Sequence, residues 1–197
     1  MTSVLLVAGS APCVLDDLEA ARRLFPFHEI MAVNGACSVI EDADHVLAGH
    51  TEHAEVYAAA RRAAFPDALP WKLHANWHYH RARRETPPAS TYPSVTDWHG
   101  TWASCGATSA SKAARIGLHL GFERVILCGC PLDGSGYTFD EASVPAPKTM
   151  QRIGDPAVQH AKTIKRYRDT MKRLAETEFK GRVFSMSGFS RSVLGAP

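Results

Sequence analysis

Apolar residues in this chain come in short bursts separated by polar, turn-forming residues, and the bursts alternate between two periods. Val4 to Ala8 is an unbroken apolar run that stops at Gly9-Ser10-Ala11-Pro12. Apolar positions then recur at helical spacing (Leu15, Leu18, Ala21, Leu24/Phe25), which predicts a helix over Leu15–Phe25. Asp16 and Asp17 lie in its first turn, where negative charge favours the helix dipole. Glu29–Asn34 reads as a second strand, so the chain opens with a strand, a glycine-containing turn, a helix and a strand.

The alternation continues. Asp44–Ala48 reads as a strand, Glu52–Ala64 as a helix and Leu69–Leu73 as a further strand. After an irregular stretch, Thr108–Leu120 is a patterned helix with Ala110, Ala113, Ala114, Gly117 and Leu118 on its close-packing side. Val125–Cys128 (VILC) is the clearest strand. A helix over Val158–Glu176 and a last strand over Val183–Met186 follow. Strands alternating with helices predict a mostly parallel sheet covered on both faces. The expected architecture is one Rossmann-like α/β domain over residues 1–197, with a lid at about 131–158. The polar, Gly- and Pro-rich stretch from Pro131 to Asp155 leaves the carboxyl end of the VILC strand, where open α/β sheets bind ligands. It reads as an active-site lid or as a surface insertion.

Composition narrows this picture modestly. Apolar residues make up 45% and charged residues 21%, the balance of a soluble globular domain. A formal charge of +2 gives no general reason to invoke nucleic acid or membrane. No apolar run is long enough to span a bilayer, and MTSVLLVAGS lacks the basic n-region of a signal peptide. The five cysteines show no CxxC pair, which fits free thiols in a reducing cytoplasm. A cytoplasmic protein is expected, and a homo-oligomer is compatible with the sequence.

Candidate chemistry falls at the ends of these elements. Gly9 and Ser10 sit between the first strand and first helix, where backbone N–H groups and a helix amino terminus could face a phosphate. Asn34-Gly35 closes the second strand; Asn34 is either a base or ribose ligand or the first residue of a simple turn. Thr108 and Ser109 open the patterned helix, as caps or as ligand contacts. His160, at the start of the long helix beyond the lid, offers an imidazole with an ordinary pKa near neutrality, suited to a general base.

All four tryptophans (Trp71, Trp77, Trp98, Trp102) fall close together, with Tyr79, Tyr92, Arg81, Arg83 and Arg84. They read as a stacking surface for a sugar or base, or as an aromatic subcore. Trp77, Arg81, Trp98 and Trp102 are the candidate acceptor contacts. His74 and His78 stand one helical turn apart, with His80, His50 and His53 nearby, but no paired Cys and no HExxH motif support a metal. No metal ligands are assigned. Asp42-Ala43-Asp44 matches the DxD of metal-dependent glycosyltransferases in letters, yet it precedes a strand instead of ending one.

The run from Thr108-Ser109-Ala110 through Leu120-Gly121-Phe122-Glu123-Arg124-Val125-Ile126-Leu127-Cys128-Gly129, then Gly134-Ser135-Gly136-Tyr137-Thr138-Phe139-Asp140, resembles bacterial lipooligosaccharide sialyltransferases. Gly9-Ser10-Ala11-Pro12-Cys13, Asn34 and Gln159-His160-Ala161-Lys162 have counterparts there in the same order. Ser10-Ala11 stands where that family has Asn-Gly, Ala110 replaces its glycine, and Pro131 and Asp133 stand near its acidic residue and second tyrosine. The resemblance implies metal-independent, inverting glycosyl transfer from a CMP-activated sugar, with no cofactor beyond that substrate. It makes His160 the base and Tyr137 the donor to the departing phosphate. Asn34 and Ser109 would hold the donor, with Gly9, Ser10, Thr108, Gly129 and Asp133 around it. The acceptor would be a glycan or a nucleic-acid base. The pterin pyrophosphokinase-like proteins share the amino-terminal turn, but this chain has Ala48-Gly49-His50-Thr51-Glu52-His53 where they carry an acidic metal motif. Another nucleotide-dependent transferase and a non-catalytic nucleotide-binding module remain the alternatives.

Overall fold

The computed structural model describes residues 2–76, 91–100, 108–133 and 156–197, with only the backbone path given for 76 and 156–161. Strands β1 (Val4–Ala8), β2 (Glu29–Val33), β3 (His45–Ala48), β4 (Lys72–Asn76), β5 (Asp97–His99), β6 (Arg124–Cys128) and β7 (Val183–Ser185) form one sheet in the order β5-β4-β3-β2-β1-β6-β7. All pairs are parallel. The α-helices are α1 (Val14–Leu24), α2 (Ala54–Ala64), α3 (Ser109–His119), α4 (Pro156–Glu176) and α5 (Gly188–Leu194). The chain is an α/β domain of Rossmann-like design, and among the described residues no helix is long and apolar enough to cross a membrane.

The uninterrupted apolar character of β1 and β6 follows from burial on both faces. On one face Val14, Leu18 and Ala21 of α1 and Ala54, Tyr57 and Ala58 of α2 pack on Leu6, Ala32 and Val46. On the other, Ala110, Ala113, Ala114 and Ile116 of α3 join Met171 and Leu174 of α4 over Leu5, Met31, Leu47 and Leu127. The small residues of α3 let it lie close to the sheet: a Cβ on Gly117 would stand 2.5 Å from Leu5 Cδ2.

Four elements depart most from the sequence expectation. β4 covers Lys72–Asn76 instead of Leu69–Leu73, and Leu69 is 83% exposed. Pro70 cannot donate to a ladder, and the true strand hides its alternation behind the polar letters of Lys72 and His74. β5 is only three residues long and polar in letters, and α5 is a seven-residue helix; neither was expected from periodicity. Helix α4 begins at Pro156, two residues before the expected start, as suits a proline in a first helical turn. The lid expectation falls on residues beyond Asp133 that lie outside the described set.

Candidate functional site at the carboxyl ends of the strands

The strand order reverses between β1 and β6, which makes the carboxyl ends of those strands the crevice where this architecture holds ligands. Here that point is stitched shut by backbone. Gly9 N–H donates to Cys128 O at 2.8 Å and Ala11 N–H to Gly129 O at 3.1 Å. The approach is so close that a Cβ on Gly9 would lie 2.4 Å from Gly129 O, and one on Gly129 (φ +63°) would lie 2.5 Å from Val14 Cβ. The N–H groups of Gly9 and Ala11 are thus committed to β6.

The amino end of α1 carries an anion of its own. Asp17, only 9% exposed, uses Oδ2 to accept Gly129 N–H at 2.8 Å and the Ser187 hydroxyl at 2.7 Å. Cys13 sits beside them, its Sγ 3.5 Å from Ser187 Oγ, and burial foremost pushes its thiol up from the ordinary range. A carboxylate in the first turn favours the helix dipole and leaves little attraction for a phosphate there. Ser10 lies on the rim, its hydroxyl donating to Val33 O at 3.4 Å.

A different helix terminus meets the ends of β2 and β3. Thr108 caps α3, its Oγ1 accepting Ser111 N–H at 3.1 Å. This first turn lands on Gly49, just past β3: a Cβ there would stand 2.2 Å from Ser109 Oγ and 3.0 Å from Asn34 Oδ1. Asn34, at φ +54°, accepts Gly49 N–H through Oδ1 at 2.8 Å. Lys112, 9% exposed, donates from Nζ to Gly49 O at 2.9 Å. Both polar groups of the Gly49 peptide are therefore held by side chains from other elements. His50 follows, its imidazole lowered from the usual value mainly by burial, with Glu52 opposing and Lys112 and His53 reinforcing.

Asn34, Thr108 and Ser109 come together around Gly49, while Gly9 and Gly129 meet at the neighbouring crevice and Ser10 lies between. Asp133 is exposed after β6, beyond Leu132 (φ +55°), whose carbonyl accepts from Arg168 Nε at 2.8 Å. Trp98 is half-buried in β5, edge-on to Tyr92 with ring centroids 5.9 Å apart. Trp71 packs under Arg61, with the guanidinium 5.4 Å from its ring. Tyr137, Trp77, Arg81 and Trp102 lie outside the described residues, and of His160 only its backbone place in the first turns of α4 is described. His74 sits in strand β4 and not on a helix, while His78 lies outside the described residues. Among the described residues no group of three or more His, Cys, Asp or Glu side chains could hold a metal ion.

Sequence reading missed Gly49 and Lys112, the two residues that bind the ends of β2 and β3 to α3. A lysine in the first helical turn reads as a solvated side chain. Only the topology, which carries α3 across the sheet from β5 to β6, turns it inward.

Fold and site together define a Rossmann-like α/β domain with a cationic helix start at the carboxyl edge of its sheet. No family model matches the chain, and no curated protein matches it in sequence.

Proposed function

We propose that this domain is a nucleotide-dependent transferase, a glycosyltransferase taking a CMP-activated sugar, whose donor phosphates lie at the amino end of α3. The observation that carries the reading is the convergence of Asn34, Ser109 and buried Lys112 on Gly49. A helix amino terminus, a hydroxyl and an ammonium offer an anion fixed donors, and burial strengthens each of them. The same charges suit a leaving phosphate, whose negative charge grows as the glycosidic bond breaks.

In the proposed reaction His160 takes the proton of an acceptor hydroxyl as its oxygen attacks the anomeric carbon. The bond to the phosphate oxygen breaks with its electron pair, configuration inverts, and the Tyr137 hydroxyl donates to the departing phosphate. Those two roles rest on the resemblance to lipooligosaccharide sialyltransferases, as does the choice of CMP. Trp77, Arg81, Trp98 and Trp102 form the proposed acceptor surface.

Calorimetric titration with CMP, UDP, GDP, ADP and ATP, with and without magnesium, tests this reading. Metal-independent preference for CMP is expected, and a CMP-sugar should then turn over in wild type but not in His160→Ala, with binding retained. Magnesium-dependent preference for ATP favours a pyrophosphokinase-like transferase. CMP binding without turnover leaves a nucleotide-binding module, and no binding removes the site.

A further inference from the structure

Four polar side chains the proposed site does not use run in line across the sheet, on the face covered by α3. Glu29 Oε2 on β2 is 2.8 Å from His45 Nε2 on β3. His45 Nδ1 is 2.9 Å from His74 Nε2 on β4, and His74 Nδ1 is 2.9 Å from His99 Nε2 on β5. The rings lie 5.0 and 5.1 Å apart and are buried, with His74 fully so. Glu29, at the amino edge of the sheet, keeps a side chain 51% exposed, whereas His99 ends β5 at the carboxyl edge.

Proton counting fixes the direction of this chain. The Glu29 carboxylate accepts, so His45 Nε2 carries hydrogen. With every ring neutral, His45 Nδ1 must accept from His74 Nε2–H, and His74 Nδ1 from His99 Nε2–H. One further proton fits without breaking any of these three bonds. It enters at His99 Nδ1, the protons in the two N–H···N bonds shift toward His45, and the charge appears beside Glu29. The polarity of the chain has then reversed: His74 and His99 carry hydrogen on Nδ1. A second added proton would force two N–H groups to face each other.

We propose that Glu29, His45, His74 and His99 form a proton relay across four strands, which takes up one proton as a unit and reverses its hydrogen-bond direction. The charged groups that face it decide where the charge rests. Glu29 on β2 attracts it at the His45 end. Lys72 on β4 opposes and Asp97 on β5 favours charge at His74, while Asp97 and His119 of α3 act in opposite senses on His99. Burial above all pushes His74 down to about 3, with His45 and His99 reinforcing. Burial likewise lowers His99. A charge therefore passes through the middle ring without staying on it. The Phe122 ring lies edge-on to His45 at 6.4 Å.

Imidazole NMR of the full chain with ¹⁵N-labelled histidine reads the proton on each ring nitrogen directly. At pH 8 His74 and His99 should both be Nε2–H tautomers. On acidification both should change to Nδ1–H with one shared midpoint, as His45 becomes imidazolium. Glu29→Gln, a change on a half-exposed side chain, should keep the fold and move that midpoint down by at least one pH unit. His74→Leu should uncouple His45 from His99. Independent midpoints, tautomers that never change while the fold persists, or an unmoved midpoint in Glu29→Gln each overturn the relay. Loss of folding in His74→Leu shifts the decision to Glu29→Gln alone.

Discussion

Replacing Arg61 with methionine should cost this domain a large part of its stability, although the residue is far from any proposed ligand. Arg61 belongs to α2 and is 1% exposed. Its Nη1 donates to Cys37 O at 3.1 Å and Ile40 O at 2.6 Å, and its Nη2 to Glu41 O at 2.8 Å and Ala43 O at 2.9 Å. One guanidinium thus satisfies four carbonyls in the connection between β2 and β3, with the Phe65 and Trp71 rings 5.7 and 5.4 Å away. Methionine fills much of the volume but supplies no donor. At roughly 1 kcal/mol for each carbonyl left without its partner, the loss is about 4 kcal/mol. Arg61→Lys, with one compact ammonium in place of a planar fork, should lose about half of that. Urea denaturation would show a lowered midpoint at unchanged slope. Hydrogen exchange at Gly49 should quicken as well, because the pinned connection begins at Asn34, whose side chain holds that amide. A Met variant within 1 kcal/mol of wild type would refute the claim that the guanidinium organises this segment.

Glycines with a positive φ should separate strain from crowding. Gly121→Ala (φ +99°, open space around it) should cost about 1–2 kcal/mol of strain, whereas Gly129→Ala adds a clash with Val14 and should cost clearly more; thermal melts that rank them the other way reject the close packing of β6 on α1. Stability should fall as pH drops below about 6.5, because the unfolded chain then binds a proton that folded His74, held near 3, refuses. At pH 4.5 His74 alone accounts for about 3 kcal/mol, the loss continues as pH falls through 3, and urea midpoints flat across that range would contradict it. Asn34→Ala frees the Gly49 amide and should weaken nucleotide binding about tenfold by calorimetry with the fold intact; an unchanged affinity would remove Asn34 from the donor site.

The strands that periodicity identified are those buried on both faces by plain aliphatic packing. β1 and β6 are continuous apolar runs because helices cover them above and below, and β2 and β3 retain enough of that character. β4 was placed too early and β5 escaped because His74 and His99 take buried positions in them, and hydrophobicity counts histidine as polar. A histidine buried among strands reads as surface until its neighbours' histidines are known to lie beside it. The same holds at the candidate site. Asn34 and Ser109 stood out because an Asn after a strand and a Ser at a helix start are informative locally. Gly49 and Lys112 were not, since their roles come from a contact between residues 63 apart in the chain.

The distribution of charge between two helix starts argues for where an anion would go. α1 begins at the topological switch, the place the fold most often reserves for phosphate, but its first turn holds Asp17, and two of the preceding amides already bond to β6. Adding a phosphate there would bring a second anion against a buried carboxylate that accepts from Gly129 and Ser187. α3 presents the opposite arrangement: hydroxyls at its cap and a buried ammonium three residues into the helix. In a medium of low polarity the sign of the nearest fixed charge outweighs the helix dipole, which is equivalent to only about half an elementary charge. The proposed donor site is thereby displaced from the β1–β6 crevice toward the ends of β2 and β3.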